Sequence, residues 1–470
     1  MTNRCSSGRR RNTARSRASA SPLLGPPLST ASRYHLQTIV AYARAPRSLN
    51  FDGSQIARLF YGWKMVAAGC GLQFLQAGML HHAFGGYVAL LQEDRGWNKT
   101  ELSGAAAMQQ MEAAILGPIL GWIMDRFGPQ WVIRFGVLLF GTGFMLLSRI
   151  DTLLEFYGAF ILVALGSSLC GFFPLNVALI NWFERKRARA LSAMSLGMAL
   201  GGIFVPVVGW SMVQYGWRAT AFASGVFAIL AGFPLSLVMR RRPEDQGETV
   251  DGFAHRPGAR HEPKPARDDA NGDFTSREAV RTPAFWLLSL GHGFALFVVG
   301  AVSVHAIPHM KEALGYSVSA AATIITLLTV CQVGGIVIGW TIGDRYEKRL
   351  IAAACMLMHM LGLLALTYAT NLAWLVAFAA LHGVGWGLRG PFMQAIRADY
   401  FGRSAIGMIM GLSLMIIVIG QVGGPMIAGM AADLTGNYRA GFTALALLAG
   451  LGSVFFVLAK RPARPLRSAP

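Results

Sequence analysis

Charge is scarce in this 470-residue sequence: 14% of its residues are Asp, Glu, Lys or Arg, and only 23 are acidic. With 54% hydrophobic residues and a mean hydropathy of +0.45, the chain has more apolar surface than a soluble core can bury, which argues against a water-soluble enzyme. Its five cysteines (Cys5, Cys70, Cys170, Cys331, Cys355) lie far apart with no CxxC pair, so neither a disulfide framework nor a metal site is expected. Nothing resembles a nucleotide-binding loop, so neither direct ATP coupling nor any cofactor is expected. Acidic residues are outnumbered, and the formal charge is +19. In a soluble protein that excess would suggest nucleic acid, but in a membrane protein its distribution among loops reports orientation first, and no nucleic-acid partner is expected.

What is present is a succession of long apolar runs. They predict helices at 64–91, 101–124, 131–149, 154–182, 189–214 and 217–239, then at 283–309, 317–343, 350–369, 372–396, 404–431 and 438–459. The expected fold is an all-α membrane protein of twelve transmembrane helices in two six-helix bundles, 61–239 and 283–460. Residues 240–282, rich in charge and proline, form a linker, and 461–470 a short tail. Residues 1–60 hold ten arginines and no lysine, and the first acidic residue is Asp52. This basic tail is expected to be disordered. Its composition fits an organelle transit peptide or, the reading we favour, codons upstream of the true start in a GC-rich gene.

Lys and Arg are distributed 35 against six if the N-terminus is cytoplasmic, a strong positive-inside signal with both termini and the linker inside. An internal repeat appears at an offset near 219. Gly117-xxx-Gly121-xxx-Asp125-Arg126 closes the second helix, and Gly335-xxx-Gly339-xxx-Gly343-Asp344-Arg345 closes the eighth. Glycines four apart allow close helix approach, and their recurrence in a 6+6 layout marks two related halves.

With these motifs the chain resembles the major facilitator superfamily, whose halves each carry a Gly-xxx-Asp-Arg loop after their second helix. Gly121-Trp-Ile-Met-Asp125-Arg126-Phe-Gly128 fits it, although Pro129 and Gln130 stand where basic residues are usual. The resemblance implies a cytoplasmic gate built from Gly121, Asp125, Arg126, Asp344 and Arg345, each Asp near a helix N-terminus and each Arg holding helix ends together. Tyr61-Gly62-Trp63, Trp182-Phe183-Glu184-Arg185, Tyr215-Gly216-Trp217-Arg218, Arg281-Thr282-Pro283-Ala284-Phe285-Trp286 and Asp399-Tyr400-Phe401-Gly402-Arg403 are similar to the bacterial monocarboxylate porter and oxalate/formate antiporter group. In that group an arginine often stands in helix eight and a lysine in helix one or eleven. Here helix eight has no charge, helix eleven has no lysine, and Lys64 lies at the membrane edge.

Ionisable groups in hydrocarbon cost several kcal/mol unless paired or hydrated, so the few present are weighed individually. Arg389, in Gly387-Leu388-Arg389-Gly390-Pro391 of helix ten, can bind a carboxylate through two parallel N–H groups or serve helix packing. Glu112, mid-helix two, suits proton uptake or a structural hydrogen bond. His81 and His82 in helix one and His305 and His309 in helix seven are candidates on the two symmetry-related helices, His309 for proton coupling and the others for substrate. Asn176, two residues after Pro174, is a further substrate candidate. His305 and His309 lack a third ligand, so no zinc site is expected.

The sequence therefore predicts a monomeric secondary transporter in a bacterial inner membrane, with one site between its halves. It would move a small organic anion such as a monocarboxylate, coupled to protons. Efflux of drug-like amphipathic compounds and a non-transporting membrane sensor or scaffold are the alternatives.

Overall fold

All regular structure among the described residues is helical, as hydrocarbon demands of a chain whose every segment must satisfy its own backbone hydrogen bonds. The computed structural model describes residues 60–81, 83–97, 99–252 and 273–463. The basic tail and His82 lie outside the described residues. We number the long helices α1 (Tyr61–Gln76, prolonged by a π turn over Ala77–His81 and by Phe84–Arg95), α2 (Lys99–Phe127), α3 (Pro129–Leu147) and α4 (Leu153–Cys170, continued by Phe172–Trp182). Helices α5 and α6 are the two parts of Arg187–Val238, followed by α7 (Pro283–Leu314), α8 (Val318–Ile342), α9 (Lys348–Thr367), α10 (Leu372–Phe401), α11 (Ile406–Thr435) and α12 (Arg439–Leu458).

Nine helical stretches among the described residues are long and apolar enough to cross a membrane, the divided α1 and the more polar α2 not being among them. The stretch Arg187–Val238 would be about 78 Å long at 1.5 Å per residue, more than twice the ~30 Å of a bilayer core. It turns at Gly216, whose φ of 78° requires a residue without a Cβ. Its repeat mate Gly436, also at positive φ (74°), ends α11 as a left-handed cap.

Local chemistry sets other boundaries. Thr152 and Glu155 form a capping box at the start of α4, and Thr282 followed by Pro283 starts α7. Helix α4 breaks at Gly171, which releases the Ser167 carbonyl that would otherwise take the N–H four residues on. The Gln76 amide of α1 donates to that carbonyl at 2.6 Å and so fastens α1 to α4.

The halves meet chiefly along two pairs of helices, α2 with α11 and α5 with α8. Gly117 and Gly121 of α2 press against the backbone of Gly411 and Gly407 of α11, an approach that a Cβ at either end would block. One apolar cluster fills the first half and takes in Leu388, Phe392, Ile406 and Met410 of the second; a separate cluster fills the second half alone.

The described ends of the linker are not simply solvated. Asp251, 6% exposed and with φ 61°, accepts the N–H groups of Glu184, Arg185 and Lys186 just before α5 at 2.7–3.2 Å. Asp273 accepts those of Arg403 and Ser404 just before α11 at 2.9 and 3.0 Å. Free N–H groups at a helix entrance attract any carboxylate that can reach them, and the linker supplies one to each half.

Candidate functional site

On the linker face the two halves are joined by a twofold-repeated contact. Helix α11 begins without a side-chain cap of its own, and the Asp125 carboxylate from α2 supplies one, accepting the N–H groups of Gly407 and Met408, both at 2.8 Å. Helix α5 also lacks its own cap, and Asp344 accepts the N–H groups of Ala188 and Arg189 at 3.1 and 3.4 Å. Donors and acceptors of the two contacts are related residue for residue by the 219 offset. A carboxylate against the positive end of a helix is a charge-assisted contact, so each half caps a helix of the other.

Ion pairs surround this seam. Asp344 also pairs with Lys348 at 2.9 Å, and Lys348 reaches Asp399 at 2.7 Å. Asp399 in turn pairs with Arg187 of the first half. Arg403 spans from Glu244, at 2.7 Å, to the Asn181 carbonyl. The expected tying arginines behave differently: the Arg126 guanidinium lies over the Trp122 and Phe127 rings of its own helix, and Arg345 is exposed. Arg241 instead donates to the Arg126 carbonyl at 3.0 Å. A motif shows that a cation is present near a helix end, but rotation about the helix axis decides where it points.

The remaining expected site residues are scattered. Arg389 is 3% exposed and points into the second half, about 18 Å along α10 from its end at Phe401. Its Nε and Nη1 are buried without a hydrogen-bond partner. Glu112 is half-buried in the first half, its Oε2 accepting from Ser168 at 2.9 Å and its Oε1 unpartnered. Asn176 is fully buried and donates to the Phe172 carbonyl at 2.6 Å, while its Oδ1 has no partner. His305 and His309 are each held by a backbone carbonyl: their Nε2 atoms bond the carbonyls of Pro425 and Leu366, at 3.0 and 3.1 Å, and both rings pack on Tyr438. His81 is exposed at the end of the π turn. Among the described residues no group of three or more His, Cys, Asp or Glu could hold a metal ion.

The structure gathers around Arg389 a set of residues that the sequence reading passed over. His292 of α7, His359 of α9, and His382 and Arg397 of α10 are all at most 7% exposed, and Arg389 acts electrostatically on each of them. Arg397, counted above with the loop charges, is inside the protein: it donates to the carbonyls of Met393 and Leu288 and to His292 Nδ1, the last at 3.2 Å. Helix α10 runs on to Phe401, five residues past its expected end, and carries Arg397 with it. His359 and His382 share a hydrogen bond between their Nδ1 atoms at 3.1 Å, with both Nε2 atoms buried and unpartnered. Among the described residues the interactions of this cluster include no carboxylate. A usable signal did exist, since 382, 389 and 397 are seven and eight apart and so share one helix face.

Two pseudo-symmetric helical halves, a glycine-lined seam and buried ionisable groups inside apolar helices define a polytopic membrane carrier. The chain belongs to the Major Facilitator Superfamily, whose family model matches residues 69–305 and 288–470. It is 24% identical over 381 residues to "MFS transporter asaE" of Aspergillus flavus, covering 77% of this chain and 78% of that one. It is 26% identical over 361 residues to "Monocarboxylate transporter 12" of Xenopus laevis, covering 73% and 75%. Among solved structures, the Major Facilitator Superfamily transporter FucP in its outward conformation aligns with a TM-score of 0.63 at 16% identity, covering 84% of this chain and 99% of that one. The protein is thus a multi-pass membrane transporter of small molecules and not an enzyme.

Proposed function

We propose that this transporter moves a small organic anion, monocarboxylate-like, by alternating access of a site between its halves, driven by a proton gradient. The observation that carries the anion reading is Arg389: a guanidinium 3% exposed, with Nε and Nη1 unpartnered and no carboxylate among its described interactions. A buried cation without a counter-charge costs several kcal/mol, and a ligand carboxylate would remove that cost. The name of the Xenopus relative agrees with the same class of cargo.

In this reading all twelve helices cross a bacterial inner membrane, the linker face is cytoplasmic with both termini, and the protein works as a monomer. The Asp125 and Asp344 caps, with Gly121 giving α2 its close approach, hold the cytoplasmic side shut; breaking both lets the halves rock apart. Arg126 and Arg345 serve that gate through the loops they stand in. Glu112 is a proton site on the first half. His81, His305 and Asn176 line the substrate path, and His309 takes part in proton transfer along it.

The test is uptake of radiolabelled L-lactate, pyruvate and acetate into proteoliposomes under an imposed pH gradient. Accumulation that collapses when the gradient is dissipated supports the reading. Movement of amphipathic dyes with none of the acids would replace it by efflux, and absence of any flux in an inserted, folded protein by a sensor or scaffold.

A further inference from the structure

The interior of the second half also contains a pair of histidines whose hydrogen bonding leaves room for one proton. His359 Nδ1 and His382 Nδ1 lie 3.1 Å apart, the rings 4.6 Å centre to centre at 65°, and both residues are fully buried. A bond between two imidazole nitrogens needs one donor and one acceptor. In the neutral pair the donor ring carries its proton at Nδ1, so its Nε2 is a bare lone pair. The acceptor ring must carry its proton at Nε2. One further proton on the bare Nε2 turns the donor ring into imidazolium without disturbing the shared bond, so the pair has two protonation states on one geometry.

The other ionisable groups around it do not offer this. His292 of α7 is committed: its Nδ1 accepts from Arg397 at 3.2 Å, which leaves Nε2 as its N–H and holds the ring neutral. Cys355 of α9 is fully buried, and Cys331, half-buried, is the titratable residue of α8, a helix with no charged residue. Helix α10 itself adds Arg389 and Arg397, and α5 meets α10 with Arg187 on Asp399 at the linker face. The charge acting on the pair is that of Arg389.

We propose that His359 and His382 form the proton-binding partner of the anion at Arg389, taking one proton for each carboxylate bound. The inference rests on the anion reading above. His382 stands two turns from Arg389 on the same face of α10, and the His359 ring lies against Gly385, one turn from it, so with Arg389 uncompensated a second positive charge on this buried face is unfavourable. Once a carboxylate sits on Arg389 that charge is offset, and the pair accepts a proton from solvent. By linkage the proton then favours the carboxylate equally, so the two ligands load and leave together. For a monocarboxylate the load is one anion and one proton, and the transport step is electroneutral.

The test uses the purified full-length protein, titrated calorimetrically with L-lactate, pyruvate and acetate in buffers of different ionisation enthalpy between pH 5.5 and 8. The expected result is uptake of one proton per carboxylate and an affinity that rises up to about tenfold per unit fall in pH. Either histidine alone can still donate its Nδ1–H to an Asn oxygen and take the proton at Nε2, so the variant is the double one, His359→Asn with His382→Asn, which keeps polar atoms near the Nδ1 positions but has no imidazole to protonate; it should bind the acid with an affinity independent of pH. Zero proton uptake by the wild type overturns the proposal, and so does unchanged uptake in the double variant. Should the double variant not fold, the wild-type count is read beside that of Glu112→Gln, where one proton still taken up supports the pair. Loss of uptake in Glu112→Gln with both histidines intact assigns the proton to α2 instead and overturns it too. Failure of every acid to bind at any pH has a different meaning: the anion reading itself is wrong, and this inference falls with it.

Discussion

The two halves of this transporter share an offset of 219 residues, yet they keep different things in common. At the linker face they are near copies: Asp125 on Gly407 and Met408 is matched by Asp344 on Ala188 and Arg189, and Asp251 and Asp273 serve equivalent loops. In their interiors they diverge. Among the described residues the first half buries neutral amides, Gln73, Gln76 and Asn176, with the Glu112 carboxyl half-buried in α2, and its buried cation Arg187 sits at the linker face on Asp399. The second buries His292, His359, His382, Arg389 and Arg397. The closing contact must be made by both halves at once and so tolerates little divergence. In the proposed reading the load is held by charge, and one half can supply the positive side alone.

The largest test of that asymmetry is Arg389→Ala. For an anionic substrate it should cost about 2–5 kcal/mol of binding, as for removing one partner of a buried charge pair, while a neutral ester of the same substrate is far less affected. Arg389→Lys should also weaken binding, because an ammonium cannot reproduce the planar two-donor fork. Equilibrium binding of acid and ester to folded variants measures both, and unchanged acid binding would make Arg389 a packing residue.

Next in size are the gate substitutions, which sharpen the comparison of the two copies. Removing the charge from a capping carboxylate costs about 0.5–2 kcal/mol. Asp125→Asn should slow transport several-fold and raise cysteine labelling at the linker face, with substrate affinity within a few-fold of wild type. Asp344→Asn should have a smaller effect, because its N–H contacts are longer, at 3.1 and 3.4 Å against 2.8 Å, and because Lys348 keeps Asp399 as a partner. A large affinity loss with normal turnover would contradict the gating role.

The linker substitutions should be smaller again. Asp251→Ala removes acceptors for three N–H groups and places alanine at φ 61°, so it should lower thermal stability more than Asp273→Ala, which frees two. Equal shifts in melting temperature would show that the φ and the third contact carry no weight. The smallest expected effect is that of deleting residues 2–50. Membrane insertion should be unchanged, since the basic residues beyond the tail still outnumber those on the opposite side. A fractionation assay checks this, and loss of insertion would make the tail a targeting element.

Much of the architecture was legible without coordinates, and the reason is local. Each apolar run must satisfy its own backbone hydrogen bonds in hydrocarbon, so run lengths, loop charges and the recurring Gly-xxx-Gly-xxx-Asp pattern were enough to expect an all-helical membrane fold with an internal repeat. The boundaries erred where tertiary contacts extend a helix, as in α10, which carries Arg397 inward to His292 and the Leu288 carbonyl. Arg389 and Asp125 were visible because charge inside or beside an apolar run is costly wherever it points.

What the sequence by itself determined is therefore the membrane fold, its internal repeat and the few residues whose chemistry demands an explanation. Only the tertiary structure decided which of them meet: that Asp125 caps a helix of the other half, that Arg126 turns back on its own helix, that His305 and His309 part to separate carbonyls, and that His359 bonds His382 two turns along α10 from Arg389. The physical reason is that lipid is as apolar as the protein interior, so the hydrophobic pattern of a spanning helix does not fix its rotation. Rotation is set by the glycines, carbonyls and polar side chains of neighbouring helices, and those neighbours exist only once the chain has folded.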